Sequence, residues 1–181
     1  MAHVVHPKLS GEDFEALAAN HGWSFEVELI DGEAVVIPPD GPGAASVGLE
    51  LAVALRRWQE QRERPGLMLP SVFVKLDEHS RLGPDLAWWA EAWDAPLPTG
   101  QMTVTPDWVA EVLSPSTRAN DLGPKRDAYL AAGVRELWLV DPVVQVVTIV
   151  DADGAERDSG PRCESGAIPG FAVDTASLFP F

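Results

Sequence analysis

Hydrophobic and polar positions along this chain fall into two patterns. Short apolar or alternating stretches, FEVELI, EAVVIP, LMLPSVFVKL, PDLAWWA and VVQVVTIVD, predict β-strands. In ASVGLELAVALRRWQEQRER the apolar residues Val47, Leu51, Ala54, Leu55 and Trp58 recur at helical spacing, which predicts a long amphipathic helix. Asp31-Gly32 stands between the first two strands and favours a tight hairpin turn. Before it, Ser10 with Asp13 forms a capping box for a short helix over Gly11–Ala19.

The most structured stretch runs from Pro106 to Pro142. It reads as a strand at Trp108–Leu113, a helix at Leu122–Ala132 and a strand at Glu136–Asp141. Asp121 is placed to cap the helix and Gly133 to end it. The unit is short enough to be a crossover between parallel strands. VVQVVTIVD then reads as a hairpin partner, DGAERDSGPRCESG as a polar surface stretch, and GAIPGFAVDTASLFPF as an apolar tail docked on the core. Helix, hairpin, helix, strands, helix, strands predicts an α/β fold with a mixed sheet, and the length of 181 residues suits one domain.

Two residues of the central unit break local rules. Glu111 interrupts an apolar strand, and a carboxylate buried alone would cost several kcal/mol or lose its charge. Lys125 falls in the first turn of the predicted helix, where the dipole disfavours a cation. Alternation puts Phe25, Val27 and Leu29 on one side of the hairpin and Glu26, Glu28 and Ile30 on the other, which by pattern is a solvated face. Asp85 opens PDLAWWA, either as a turn residue or as a site residue sharing a face with Ala87 and Trp89. If the strands carrying Glu28, Asp85 and Glu111 are neighbours, the three carboxylates converge. Such oxygen ligands suit magnesium or manganese, with Lys125 orienting a water or offsetting charge and Tyr129, on the same helix face, joining them.

Composition narrows the alternatives. Thirteen basic against 28 acidic residues give a net charge of −15, which argues against broad nonspecific binding to nucleic acid. It leaves room for a local basic groove, for which Arg56, Arg57, Arg118 and Arg126 are candidates, or for metal ions that supply the positive charge. One cysteine allows no intrachain disulfide. The four histidines lack metal-ligand spacing and read as surface residues, and Ser114 and Ser116 read as loop and capping residues. The seven tryptophans fall mostly at apolar-periodic positions and read as core or interface residues before base-stacking platforms, with a subunit interface at Trp88, Trp89 and Trp93 as the alternative. The start lacks a secretion-signal pattern and no apolar run nears a membrane span of roughly 18 residues, so the expectation is a cytoplasmic protein.

VELIDGEAVV, GPDLAWW, the long block from Pro106 to Pro142, and IPGF resemble the Uma-two family of restriction-endonuclease-like proteins. The resemblance spans about Phe25 to Phe179 and implies a PD-(D/E)xK nuclease superfamily fold, a mixed β-sheet flanked by helices with a magnesium-dependent site for hydrolysing DNA phosphodiesters. It implies Asp85 and Glu111 as the motif acids, with Glu28 as an additional acid. The motif lysine would stand two residues after Glu111, where this chain has Leu113; the resemblance implies that Lys125 takes its part. The fold also implies a homodimer. Related sequences carry a histidine before the long helix where this chain has Ala44-Ala45-Ser46. That departure and the acidic charge leave a second expectation, a nuclease-fold binding or regulatory module without turnover.

Overall fold

The computed structural model describes residues 8–21, 27–63, 66–91 and 96–181. Helix α1 (Gly11–His21) opens the described chain, with Ser10 Oγ accepting from the Asp13 N–H at 3.1 Å as the capping box requires. Strands β1 (Val27–Ile30) and β2 (Glu33–Val36) form the expected hairpin. Asp31 and Gly32 both take positive φ, 47° and 81°, which matches the right-handed twist of the paired strands. A Cβ built at Gly32 would lie 2.5 Å from Lys8 Cβ. Gly32→Ala is therefore expected to cost about 1–2 kcal/mol in urea unfolding, and an unchanged midpoint would show that this turn does not constrain the fold.

Helix α2 (Pro42–Gln59) begins earlier and ends sooner than the pattern predicts. Pro42 sits at the start, where its missing N–H costs nothing. The buried face is Ala44, Val47, Leu51, Leu55 and Trp58. Beyond the helix, Arg62 lies over the Trp58 ring at 4.2 Å and donates to the Trp58 carbonyl. LMLPSVFVKL does not form one strand. Ser71 adopts φ 47°, and the stretch divides into β3 (Leu67–Pro70) and β4 (Val74–Lys75), which join different sheets. The expected polar turn before Pro84 contains a further short strand, β5 (Arg81–Leu82), followed by β6 (Leu86–Trp89).

Strand β7 (Trp108–Val112) and strand β8 (Glu136–Asp141) are parallel, and β9 (Val146–Asp151) pairs antiparallel with β8 as the expected hairpin. The polar stretch contains β10 (Glu156–Asp158) and β11 (Arg162–Glu164), and the tail contains β12 (Ala172–Asp174). The main sheet has the order β10-β9-β8-β7-β6-β3, and a smaller one runs β2-β1-β5-β4. This is the mixed α/β architecture expected.

Alternation along β7 decides which residues meet. Trp108, Ala110 and Val112 pack with α2 and with Phe171, Leu178 and Phe179 of the tail, so the tail is docked on the core as predicted. Val109 and Leu113 turn to the opposite face, where Tyr129, Leu137 and Leu139 cover them. Trp138 packs edge-on against Trp108 at 5.2 Å and stacks on Phe171 at 5.7 Å. Trp88 and Trp89 are each 2 % exposed, so these two belong to the core, as the apolar-periodic reading has it, and not to the alternative interface; Trp93 lies outside the described residues. Large aromatic area inside a sheet sandwich stabilises the fold more than it would on a rim. Among the described residues, no helix is long and apolar enough to cross a membrane.

Candidate active site

The helical run after β7 begins four residues before the expected start. Ser114 accepts from the Thr117 N–H and bonds the Thr117 hydroxyl at 2.9 Å, so the start is organised by Ser114 and not by Asp121. Three segments follow without a break: α3 (Arg118–Asn120), a π-helical turn (Asp121–Lys125) and α4 (Arg126–Ala131). Pro124 explains the π turn. It has no N–H to donate to the Asn120 carbonyl, and its ring would crowd that carbonyl, so the backbone widens locally. Lys125 consequently lies well inside the run, and the dipole penalty expected for a first-turn cation does not apply. Asp121 is a buried member of the site instead of a cap, 2 % exposed. Its spacing of four from Lys125 was the available signal.

Four of the expected residues meet around Lys125 or beside it. The Lys125 ammonium stands 2.8 Å from Glu111 Oε1, 3.3 Å from Glu28 Oε1 and 3.3 Å from Asp121 Oδ1. Tyr129, one turn further, donates its hydroxyl to the same Glu111 Oε1 at 2.6 Å. Glu28 is 2 % exposed, so the solvated-face reading fails for this residue; Phe25 and Glu26 lie outside the described residues. The Gly83 N–H, just past the end of β5, the strand beside β1, holds Glu28 Oε1 at 2.7 Å. Asp85 stands just before β6 and accepts the Val112 N–H on Oδ2 at 2.6 Å. Its side chain thus takes over the ladder at the point where β6 stops pairing with β7.

Asp85, Glu28, Glu111, Asp121 and Lys125 line one cavity of about 360 Å³, with Phe73 and the Ile37–Asp40 loop at its side. Asp40 is the carboxylate that this loop adds. Two buried oxygens at the site, Glu28 Oε2 and Asp121 Oδ1, have no hydrogen-bond partner. Asp121 Oδ1 keeps its ion pair with Lys125, but without an aligned hydrogen bond. Among the described residues, no three Asp, Glu, His or Cys side chains are grouped as a metal shell.

Burial governs the protonation of the cluster. It pushes Asp85 up to about 7, aided by the negative charge of Asp40 and Asp121 and opposed by the Val112 N–H and Lys125. Burial also holds Glu111 well above the ordinary carboxylate range and Glu28 above it, with Lys125 pulling both back. Asp40 is raised by its surroundings and by Asp121. For Lys125 burial works against the charge, but Glu111, Glu28 and Asp121 outweigh it and hold the ammonium protonated. Tyr129 is raised by burial and by Glu111, so it stays a hydrogen-bond donor.

The Asp85 shift has a defined effect on stability. Its folded value of about 7 lies above the unfolded value near 3.8, so the folded state holds the proton more tightly. The carboxylate is thus neutral at no cost below about pH 4, and its burial destabilises the protein increasingly up to about pH 7. The full shift corresponds to ~4 kcal/mol, and water in the open cavity screens part of it. Asp85→Asn, which still accepts from Val112, is expected to gain about 2 kcal/mol at pH 8 and nothing at pH 4. Urea unfolding at the two pH values checks this, and an equal effect at both would refute the burial cause.

A family model described as "Putative restriction endonuclease", Uma2, matches residues 12–163. The chain belongs to the Uma2 family. The match takes in both hairpin strands, the whole cluster around Lys125 and β11. Similarity also extends to a crystal structure of a putative nuclease belonging to DUF820, from Anabaena variabilis, at a TM-score of 0.71 and 17 % identity over 84 % of this chain and 89 % of that one. At that identity the likeness concerns the fold, which is a nuclease-like one. No curated protein matches this Uma2 chain significantly.

Proposed function

We propose that this protein is a metal-dependent endonuclease that hydrolyses DNA phosphodiester bonds, with Asp85, Glu111 and Glu28 holding Mg²⁺ or Mn²⁺. The observation that carries the reading is the Lys125 ammonium, buried among Glu111, Glu28 and Asp121 on the wall of an open cavity that Asp85 also lines. The residues suit a hard cation. All donors are carboxylate oxygens, two buried oxygens lack a hydrogen bond, and five acids face one lysine. When bound, such an ion makes water more acidic and offsets charge on the phosphate.

The chain's own groups do the rest. Tyr129 holds Glu111 and fixes its orientation, the Gly83 N–H holds Glu28, and the Val112 N–H holds Asp85. Lys125 positions the attacking water or donates to a phosphate oxygen as negative charge develops there. Tyr129 acts through Glu111 and is a positioning residue. Tyr129→Phe should lower the cutting rate about tenfold, as loss of a supporting hydrogen bond does. Its Mn²⁺ affinity should fall as well, a loss that a purely structural role would not produce.

One observation favours a second reading, a nuclease-fold module that binds without cutting. Three of the four arginines expected to form a basic groove are engaged elsewhere: Arg118 with Asp141, Arg126 with Glu156 and Asp127, and Arg56 with Glu60. None of them lines the cavity. Nicking of a supercoiled plasmid with Mg²⁺ or Mn²⁺ separates the readings. Metal-dependent cutting by the wild type, lost in Glu111→Ala and Lys125→Ala, supports the endonuclease. No cutting of DNA or RNA with either metal overturns it in favour of the binding module.

A further inference from the structure

Lys125 stands where the cation of the proposed reaction would need to be. Its side chain is 4 % exposed, and three carboxylates from three different elements surround its ammonium at 2.8–3.3 Å. These acids line one cavity, and the ammonium sits among three of them. A divalent ion placed among the same oxygens would face an unscreened positive charge a few ångströms away. The acids are also incompletely satisfied, since Glu28 Oε2 and Asp121 Oδ1 have no hydrogen-bond partner in a buried setting. One ammonium has three protons and cannot serve the six oxygens of three carboxylates.

We propose that Lys125 is the resident counter-cation of this site, and that a divalent ion binds Glu111 and Glu28, together with Asp85, by displacing the ammonium from Glu111, Glu28 and Asp121 into the cavity. The proposal rests on the reading of the site as metal-dependent and adds how the ion enters. Lys125 can make this move without unfolding anything. Its charge is on a flexible four-carbon stem, and the adjacent cavity of about 360 Å³ has room for it. The π turn that carries it is a locally altered stretch of helix of the kind found at functional sites. Displaced into the cavity, the ammonium faces the space a phosphodiester would occupy. The metal-free protein is thereby latched, and metal binding both fills the site and releases the lysine.

Two measurements test this, both with Mn²⁺ as the probe. Titration calorimetry should give Lys125→Met a Kd for Mn²⁺ at least tenfold lower than that of the wild type, because the competing cation is gone. Trace acetylation of the wild-type chain with acetic anhydride, read by peptide mass spectrometry, should show Lys125 protected without metal and modified severalfold faster with saturating Mn²⁺, while Lys8 and Lys75 do not change. If Lys125→Met fails to fold, the wild-type labelling alone decides. Wild-type binding as tight as the variant's, or labelling of Lys125 that stays constant or falls with Mn²⁺, overturns displacement and leaves the metal-dependent reading standing. Absence of Mn²⁺ binding to every form overturns that reading too.

Discussion

Lys125→Met is expected to cost about 3–5 kcal/mol of folding stability at pH 8, because it leaves Glu111, Glu28 and Asp121 buried without their shared cation. The sign with pH follows from the raised values on both sides of the pair. Lys125 is held above its unfolded value of 10.5, so its contribution is complete at pH 8 and is lost only at more alkaline pH. Glu111 and Glu28 are raised above 4.5 even with the ammonium present. Without it they rise further, and the variant recovers stability by taking up protons as the pH falls. Urea unfolding should therefore show a deficit that is large at pH 8 and smaller at pH 5. An equal deficit at both values would mean that the methionine merely packs badly.

Glu111→Gln should reduce metal-dependent nicking by about a hundredfold or more while the fold remains. The amide oxygen can still accept from Tyr129 and Lys125, so the hydrogen bonds of the wild type persist. What is lost is the charge that would hold a divalent ion. Initial rates on supercoiled plasmid over a range of Mn²⁺ concentrations measure the effect, with near-UV circular dichroism to confirm packing. Wild-type rates in Glu111→Gln would place the chemistry elsewhere. Beside Lys125→Met, whose deficit in stability depends strongly on pH, this variant isolates the loss of turnover.

Local sequence specified much of this molecule because the relevant physics is local. Asp31-Gly32 demands positive φ at two successive residues and produces a hairpin wherever it lies between strands. The spacing of Val47, Leu51 and Leu55 produces one buried helix face. Glu111 in an apolar strand announced a buried carboxylate before its partner was known. The strand–helix–strand unit from Trp108 to Asp141 follows for the same reason, and with it the parallel pair at the centre of the sheet. Pro124 also encodes the π turn, although its consequence for the position of Lys125 is visible only once the helix start at Arg118 is seen.

Other features depended on which strands became neighbours, and no local pattern contains that. Glu28 alternates with apolar residues as any edge-strand glutamate would; it is buried because β5 pairs beside β1 and supplies the Gly83 N–H nearby. Trp88 and Trp89 suited either core or interface by pattern, and the sheet decides for the core, because β6 lies between β3 and β7 and both of its faces are covered. Asp121 had the form of a helix cap and became an ion-pair partner because the helix began earlier, at a start organised by Ser114. The sequence by itself determined the elements, the turn and the residue types of the cluster, through steric and hydrogen-bonding preferences that act over a few residues. Only the tertiary structure decided that Glu28, Glu111, Asp121 and Lys125 meet and that Asp85 faces the same cavity, because burial and Coulomb interaction depend on distances in space between residues up to about a hundred positions apart in the chain.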